Sequence, residues 1–365
     1  MKILFTSLFH IYLFIKGFIN SFFYKKQSMK ESIDFVLLWV DGNDHEWQKT
    51  KEKYEKKYNI YKEGNGEERY RDWEQLRYWF RGVEKYAPWV RNIYLVTCGQ
   101  CPEWLNVNHP KLKLVNHEDF IDPKYLPTFN CSAIEMNLYK IKDLGEYFVY
   151  FNDDMLLTKE VKPEDFFQGG MPLICAAGFP VRNNYLNNLW NHNQFTITGL
   201  VSKYKWDEII KKNPEKWFNY KYKTFLRFNW RMCQDSFMSG FYYVHLPSPF
   251  RKSSLKETSM EFKKNFEQTT QNKFRDPNDI SQQLFKIHDI ANGDFVPCSP
   301  FHFGNYYFLV SVFYKDIAKD IRKQKYKMVC INDSWDVNKE NFETIKNEIN
   351  AAFDSILPQK SSFEL

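Results

Sequence analysis

The chain has 365 residues, enough for one large globular domain or two modest ones. Aromatic residues make up 19% of it, and no repeat or low-complexity tract is evident, which excludes a disordered chain. A formal net charge of +6 favours anionic partners, but no nucleic-acid-binding signature accompanies it, so we expect no nucleic-acid partner. The seven cysteines are an odd number and are scattered along the chain, which argues against a secreted disulfide framework and favours a cytoplasmic location.

Residues 1–26 differ from the rest, because apolar residues recur at helical spacing from Leu4 to Phe22. The run is marginal for a membrane-spanning helix, and no small-residue cleavage site follows it, as a signal peptide would require. Its aromatic content and the closing Lys25 and Lys26 favour a helix in peripheral contact with the anionic inner face of the cytoplasmic membrane. The alternative is a helix packed on the protein's own core.

Two apolar runs end abruptly in oxygen-bearing side chains. Residues 35–40 lead into the polar loop 41–44, and residues 147–151 lead into Asn and two Asp at 152–154. Their β-branched and aromatic residues indicate buried strands, and ligands of open α/β sheets bind beyond the carboxyl ends of strands. Adjacent carboxylates repel each other unless a cation joins them, and hard oxygen ligands suit Mg²⁺ or Mn²⁺. The pattern favours a metal-assisted enzyme acting on a phosphorylated substrate; the alternative is a polar turn that caps its own backbone.

Further elements alternate between strand and helix. Strands are predicted at residues 92–97 and 112–116, and capping boxes predict helix starts at Asp72 and Ser132. This alternation predicts a mainly parallel sheet with helices on both faces. Because no Walker loop or GxGxxG motif is present, a bound phosphate must be held by a metal ion and cationic side chains.

Residues 171–240 break this alternation and contain many amides, lysines and aromatic residues. The side chains in question are Asn183, Asn184, Asn187, Asn188, Asn191, Asn193, Trp206, Trp217, Tyr220 and Tyr222. Aromatic rings beside amides and cations can hold a sugar-phosphate polymer by stacking, hydrogen bonds and charge. The segment is therefore a candidate acceptor-binding insertion, and a solvated helical insertion is the alternative.

Short motifs in a fixed order along the chain are more specific than any single one. They are Trp39-Val40-Asp41-Gly42, Leu76-Arg77-Tyr78, Ala87-Pro88-Trp89-Val90-Arg91, Leu126-Pro127-Thr128-Phe129, Asn152-Asp153-Asp154, His245-Leu246-Pro247, Arg275 and Cys330-Ile331-Asn332-Asp333. Together they resemble the Stealth family, which includes bacterial capsular polysaccharide phosphotransferases and the catalytic subunit of animal N-acetylglucosamine-1-phosphotransferase. The resemblance spans roughly residues 33–364.

The resemblance implies an α/β fold: a Rossmann-like, glycosyltransferase-A-related core with a mainly parallel sheet, helices on both faces and a helical insertion. It implies transfer of a hexose- or N-acetylhexosamine-1-phosphate from a UDP-sugar to a hydroxyl of a poly- or oligosaccharide acceptor, with Mg²⁺ or Mn²⁺ and with release of UMP. The expected parts are a membrane-associating helix at 1–26, a nucleotide-sugar-binding half at 33–170, the insertion at 171–240, the rest of the catalytic domain at 241–337, and a C-terminal helix and tail at 338–365.

The resemblance also implies roles for individual residues. His245 is expected to act as general base or transient phosphoryl carrier, with Asp41 as the competing base, and Arg275 to stabilise phosphoryl oxygens. The expected catalytic residues are His245, Arg275, Asp41 and Asp154. The expected metal ligands are Asp153, Asp154, Asn332 and Asp333, although one of the paired carboxylates can act without touching the ion. The expected nucleotide-sugar contacts are Trp39, Val40, Asp41, Gly42, Asp44, Asp72, Arg77 and Arg81.

Two other functions stay open from the sequence. A metal-dependent glycosyltransferase would use the same donor and ion but break the C1–O bond of the sugar and release UDP. A non-catalytic, membrane-associated carbohydrate-binding protein would need no reaction site, and the recurrence of polar residues at strand ends argues against it.

Overall fold

The computed structural model describes residues 2–58, 60–61, 64–181, 189–235 and 238–365, with side chains from residue 8 onward. The asparagines of the predicted cluster at Asn183, Asn184, Asn187 and Asn188 lie outside these residues. The strands are β1 (Ile33–Leu38), β2 (Ile93–Thr97), β3 (Leu112–Asn116), β4 (Tyr147–Asn152), β5 (Met155–Leu157), β6 (Phe167–Gln168), β7 (Met171–Ile174), β8 (Ser248–Arg251), β9 (Val296–Pro297), β10 (Asn305–Phe308) and β11 (Met328–Asn332). The helices are α1 (Lys2–Phe22), α2 (His45–Lys57), α3 (Leu76–Tyr86), α4 (Cys131–Glu135), α5 (Leu189–Val201), α6 (Trp206–Lys212), α7 (Pro214–Trp217), α8 (Leu226–Asp235), α9 (Lys252–Glu261), α10 (Lys263–Gln271), α11 (Gln283–Asn292), α12 (Tyr314–Arg322) and α13 (Phe342–Ile356).

The central sheet has the strand order β3-β2-β1-β4-β8. Its first four strands run parallel and β8 is antiparallel, so the predicted mainly parallel sheet is confirmed. The chain moves outward from β1 through β2 and β3, whereas β4 lies on the other side of β1, which makes the β1–β4 boundary a topological switch point. Leu38 pairs with Asn152 there, so the segments that follow β1 and β4 leave the sheet side by side.

Helices cover both faces of this sheet, because successive strand residues point to opposite sides. Phe35 and Leu37 of β1 join a core cluster that includes Trp79 of α3 and Phe353 of α13. Val36 joins a second cluster on the other face, which includes residues of α8, α10 and α11. Two smaller sheets, β10-β11-β5 and β6-β7-β9, extend the core beyond the central sheet.

The two predicted helix starts are wrong, for a local reason in each case. The helix predicted from Asp72 begins at Leu76, because Asp72 Oδ1 accepts a hydrogen bond from the Glu74 backbone N–H and forms a turn. The helix predicted from Ser132 is capped by Asn130, whose Oδ1 accepts from the Ser132 backbone N–H. In both cases a short side-chain bond two residues along the chain replaces the predicted capping box.

Most of the aromatic residues predicted to contact the acceptor in the insertion are core residues rather than a sugar-stacking surface. Trp206, Trp217 and Tyr222 are fully buried, so their predicted contact with an acceptor saccharide is wrong. Tyr220 is half-exposed, but its ring stacks on Phe22 of α1 with the ring centroids 4.6 Å apart. From residue 189 the insertion is helical and closes the core with α5 to α8.

We expect Trp217→Ala to lower the free energy of unfolding by about 3–5 kcal/mol, because it empties a fully buried aromatic site. Trp335→Ala is the matched control: Trp335 is 81% exposed, so the change should stay within about 0.5 kcal/mol. Urea unfolding followed by circular dichroism compares the two variants. Equal loss of stability would contradict the assignment of the insertion to the core.

Candidate active site

A cavity of about 1050 Å³ lies where β1 and β4 end. Its walls combine Trp39 after β1, the segment 152–154 at the end of β4, Asn332 at the end of β11, His245 before β8 and Arg275 after α10. Residues far apart in the sequence therefore meet in one cleft. It occupies the edge of the sheet at which open α/β folds bind their ligands.

Three carboxylates crowd one side of this cleft. Asp153 is exposed to the cavity, and its enclosure by surrounding protein atoms, together with the nearby Asp154 and Asp72, raises its pKa to about 7. Burial also raises the pKa of Asp72, with repulsion from Asp41 and Glu74 adding to it. Asp154 Oδ1 is buried and has no hydrogen-bond partner among the described residues. An unpaired buried acceptor among repelling carboxylates fits a divalent cation such as Mg²⁺ or Mn²⁺.

Asn332 and Asp333, also predicted as metal ligands, reach the cleft but make protein contacts there. Asn332 Nδ2 donates to Asp154 Oδ2 at 3.1 Å, so the amide orients that carboxylate. Asp333 uses both of its oxygens on protein donors, Trp73 Nε1 at 3.0 Å and the Ser334 backbone N–H at 2.7 Å. Asp333 therefore connects neighbouring segments of the chain. Because both of its oxygens already accept hydrogen bonds, it is not included in the candidate cation site.

A second set of metal-ligating atoms overlaps this site. One ligand atom each of Asp154, His245 and Cys330 lies within 4.8 Å of the others. Cys330 is fully buried, and burial holds the pKa of its thiol well above the usual value. Because Mg²⁺ and Mn²⁺ prefer oxygen to sulfur ligands, the carboxylate cluster is the better site for either ion.

His245 sits at the end of a chain of polar side chains. Its Nε2 lies 3.1 Å from Asn152 Nδ2 and 3.7 Å from Asp154 Oδ2. The Tyr150 hydroxyl bridges Asn152 Oδ1 and Glu135 Oε1, the latter at 2.9 Å. Burial lowers the pKa of His245, opposed by the Asp154 charge, so the ring is neutral at physiological pH. With the amide nitrogen as donor, Nε2 is the unprotonated ring nitrogen, and its lone pair is engaged by Asn152; it can act as a general base once that hydrogen bond opens.

Sequence reasoning does not identify Glu135 as part of the site. The residue is buried, burial raises the pKa of its carboxyl, and Oε2 accepts from the Gln282 backbone N–H at 3.2 Å. Its partners Tyr150 and Gln282 are distant in sequence, so no local motif marks it. The only local signal is an acidic residue within an otherwise apolar helical stretch.

Two arginines, Arg275 and Arg69, also line the cavity. Arg275 Nε is buried and has no hydrogen-bond partner among the described residues. Its backbone is fixed by Asn65, whose side chain accepts from the Arg275 N–H at 3.1 Å and donates to its carbonyl at 3.0 Å. Burial and the nearby Arg275 lower the pKa of Arg69, which the sequence did not single out. Such a pair suits the oxygens of a diphosphate.

Arg77 and Arg81, predicted to hold the nucleotide, lie away from the residues that line the cavity. Arg77 is exposed, with its guanidinium 5.0 Å from the centre of the Trp104 ring. Arg81 binds Glu364 through two hydrogen bonds of 2.8 and 2.9 Å and so ties the C-terminal tail to α3. The candidate site therefore includes neither of them.

The predicted nucleotide-binding loop after β1 lines the cavity through Trp39. Asp44 caps α2, and Gln100 Nε2 donates to the Asp41 carbonyl at 3.0 Å and to Asp44 Oδ2 at 3.1 Å. A Cβ on Gly42 would lie 1.7 Å from a backbone oxygen of the facing segment, so glycine is required for close packing. Asp41 does not line the cavity, but its charge contributes to the raised pKa of Asp72.

Comparison with known protein families matches four conserved regions, in the order expected from the motifs. These are Stealth protein CR1, conserved region 1, at residues 31–59; CR2 at 69–172; CR3 at 244–283; and CR4 at 319–365. Arg69, Asp153, Asp154, His245 and Arg275 all lie within matched regions. The site described above is therefore built from the conserved parts of these models.

Similar proteins cover nearly the whole chain. Capsular polysaccharide phosphotransferase WcwK of Streptococcus pneumoniae is 42% identical over 336 residues, which is 92% of this chain and 98% of that protein. Receptor polysaccharide phosphotransferase WefC of Streptococcus gordonii is 40% identical over 346 residues, 92% of this chain and 100% of that protein. Exopolysaccharide phosphotransferase cps2G of Lactiplantibacillus plantarum is 36% identical over 336 residues, 91% of this chain and 96% of that protein. The chain belongs to the Stealth protein family.

Proposed function

We propose that this protein is a polysaccharide phosphotransferase that moves a sugar-1-phosphate from a UDP-sugar to a saccharide hydroxyl and releases UMP. Its family membership and the names of its relatives support the class of reaction. The observation that carries the proposal is the convergence in one cavity of an unpaired buried carboxylate oxygen, a neutral histidine and two guanidinium groups. These are the groups that phosphoryl transfer needs for positioning, charge neutralisation and proton removal.

In the proposed reaction the acceptor hydroxyl attacks the β-phosphorus of the donor. A new O–P bond forms while the bond from that phosphorus to the oxygen bridging to the α-phosphate breaks, and UMP leaves with the bridging oxygen. The C1–O bond of the sugar is untouched, so the anomeric configuration is retained. His245 Nε2 accepts the proton of the attacking hydroxyl after the hydroxyl replaces Asn152 Nδ2 as its hydrogen-bond donor, a role that typically contributes about 10²–10⁴-fold to the rate.

The remaining residues of the cleft position and neutralise the diphosphate. Arg275 and Arg69 lie where they can donate to phosphoryl oxygens, whose charge they would neutralise in the transition state. Asp153 and Asp154 would hold Mg²⁺ or Mn²⁺, which supplies charge stabilisation to the diphosphate when bound. Glu135 holds His245 in place through the intervening tyrosine and asparagine.

With a UDP-sugar, an acceptor saccharide and Mg²⁺, the protein is expected to form UMP, as measured by chromatography of the nucleotide products. His245→Ala should lower kcat by about 10²–10⁴-fold because it removes the base. Asp41→Asn is the matched control and should keep most of the activity, since Asp41 does not line the cavity. Formation of UDP would instead establish a glycosyltransferase, and loss of activity in Asp41→Asn with retention in His245→Ala would assign the base to Asp41.

Removal of divalent cations with EDTA should abolish turnover, and Mg²⁺ or Mn²⁺ should restore it. Asp154→Asn should abolish Mn²⁺ binding measured by isothermal titration calorimetry, because it removes a ligand of the proposed ion. Asp333→Asn should bind Mn²⁺ as the wild type does, since its oxygens are held by protein donors. Full turnover in EDTA, or loss of Mn²⁺ binding only in the Asp333 variant, would refute this metal site.

We also propose that α1 makes peripheral contact with the inner face of the cytoplasmic membrane. One side of α1 packs on the protein, with the Phe14 ring centroid 5.1 Å from that of Phe218. The other side exposes a row of apolar residues: Leu8, Phe9, Ile11, Tyr12, Ile15, Ile19 and Phe22. Among the described residues, no helix has the length and apolarity to cross a bilayer. An exposed apolar helix face with nearby Lys16, Lys25 and Lys26 suits an anionic lipid surface.

The full-length protein should therefore float with vesicles that contain phosphatidylglycerol, and less with vesicles of phosphatidylcholine alone. The double variant Ile11→Glu, Ile15→Glu should stay in solution, because it places two carboxylates on the apolar face. Val107→Glu is the control, since Val107 is similarly exposed but lies outside α1. Flotation of the double variant at the wild-type level would contradict the membrane contact.

A further inference from the structure

Exposed aromatic side chains line the mouth of the candidate active site. They are Trp335 (81% exposed), Phe301 (60%), Phe308 (47%), Trp190 (40%) and Tyr306 (36%), and all five border the cavity. Single exposed apolar residues are ordinary, but several around one opening form a surface that marks a binding site. Trp190 belongs to the insertion, whereas Trp206, Trp217 and Tyr222 of the insertion are buried.

One residue of this aromatic surface, Tyr306, lies close to His245. The Tyr306 ring centroid lies 6.3 Å from that of His245, and the Tyr306 hydroxyl donates to Asn332 Oδ1 at 3.2 Å. Phe308 follows two residues later on β10, so both rings leave the same face of that strand. Trp335 follows β11, the neighbour of β10 in the sheet. The aromatic surface therefore extends outward from the proposed base.

The chemistry of these side chains fits a saccharide. The faces of pyranose rings are lined by C–H groups, which stack on flat aromatic rings while the hydroxyls stay in water, as other flat ligands stack on exposed aromatic platforms. The cavity of about 1050 Å³ exceeds most single-ligand sites, roughly 300–1,000 Å³, and leaves room for an acceptor beside a donor. The exposed apolar face of α1 is a separate surface, because none of its residues with a described side chain lines the cavity.

The position of the rings relative to the matched family regions supports a role in acceptor choice. Trp190, Phe301, Tyr306 and Phe308 lie outside all four matched regions, whereas His245 lies inside one of them. His245 therefore lies in a region that the family models share, whereas four of the five aromatic residues at the cavity mouth lie outside the shared regions. Residues that select among different polysaccharides are expected outside the shared regions.

We propose that Trp335, Phe308 and Phe301 form a stacking surface for the pyranose rings of the acceptor saccharide, and that Tyr306 places the terminal ring beside His245. This inference rests on the proposed function, because it assumes that a saccharide hydroxyl is the nucleophile. In this arrangement the acceptor binds to the aromatic surface at the cavity mouth, and the UDP-sugar binds to the acidic cluster and the two arginines.

Phe308→Ala and Trp335→Ala should each raise the KM for the acceptor about 10-fold, with kcat and the Kd for the UDP-sugar unchanged, because each removes one stacking ring. Phe313→Ala is the matched control: Phe313 is 58% exposed, close to the value for Phe301, and does not line the cavity. An unchanged acceptor KM in both Phe308→Ala and Trp335→Ala would overturn the proposal. A parallel loss of UDP-sugar affinity would also overturn it, since the aromatic surface would then belong to the donor site.

A binding measurement separates this inference from the proposed reaction. Saturation-transfer NMR with cello- and chito-oligosaccharides, in the absence of any UDP-sugar, should detect contact with aromatic protons of the wild-type protein and a loss of that contact in the double variant Phe308→Ala, Trp335→Ala. This result would support the acceptor surface even if no UMP were formed. Equal transfer to the wild type and the double variant would refute the surface even if UMP were formed.

Discussion

The repulsion among carboxylates at the switch point between β1 and β4 is the constraint on which the rest of the site depends. Asp153 and Asp154 follow β4 directly, and Asp72 reaches them from the segment before α3. Burial and mutual repulsion make this arrangement costly, and the raised pKa of Asp153 reflects that cost. A divalent cation held by these carboxylates would relieve the repulsion and would offer positive charge to a diphosphate, whose other oxygens Arg275 and Arg69 would bind.

Hydrogen bonds within the cleft and outside it keep these groups in place. The side chain of Asn65 holds the backbone of Arg275, and Asn332 holds one oxygen of Asp154. Outside the cleft, Glu364 of the C-terminal tail binds Arg81 of α3, and this ion pair holds the tail against the core. Groups held in this way lose little entropy on binding substrate, which is the advantage of a preorganised site.

The sequence predicts the parts of the structure that depend on local pattern. Apolar runs identify the parallel strands, and the position of Asp154 at the end of one of them places it in the cleft. Residues defined by distant contacts cannot be found in this way. The sequence shows Glu135 only as a helix residue, whereas the fold brings Tyr150 to it. Arg81 is predicted to contact the nucleotide, whereas in the structure it binds Glu364 of the tail. Motif resemblance supplied His245 and Arg275, but it could not show which motif residues face the cavity.

We propose above all that a single divalent cation in this cleft joins the acidic cluster to a diphosphate. Anomalous X-ray scattering from crystals grown with Mn²⁺ and UDP tests it directly. We predict one manganese ion bound by carboxylate oxygens of Asp153 and Asp154 and by oxygens of both phosphates. Manganese bound at Cys330 without phosphate contact, or a diphosphate bound in the cleft with no ion beside it, would contradict the claim.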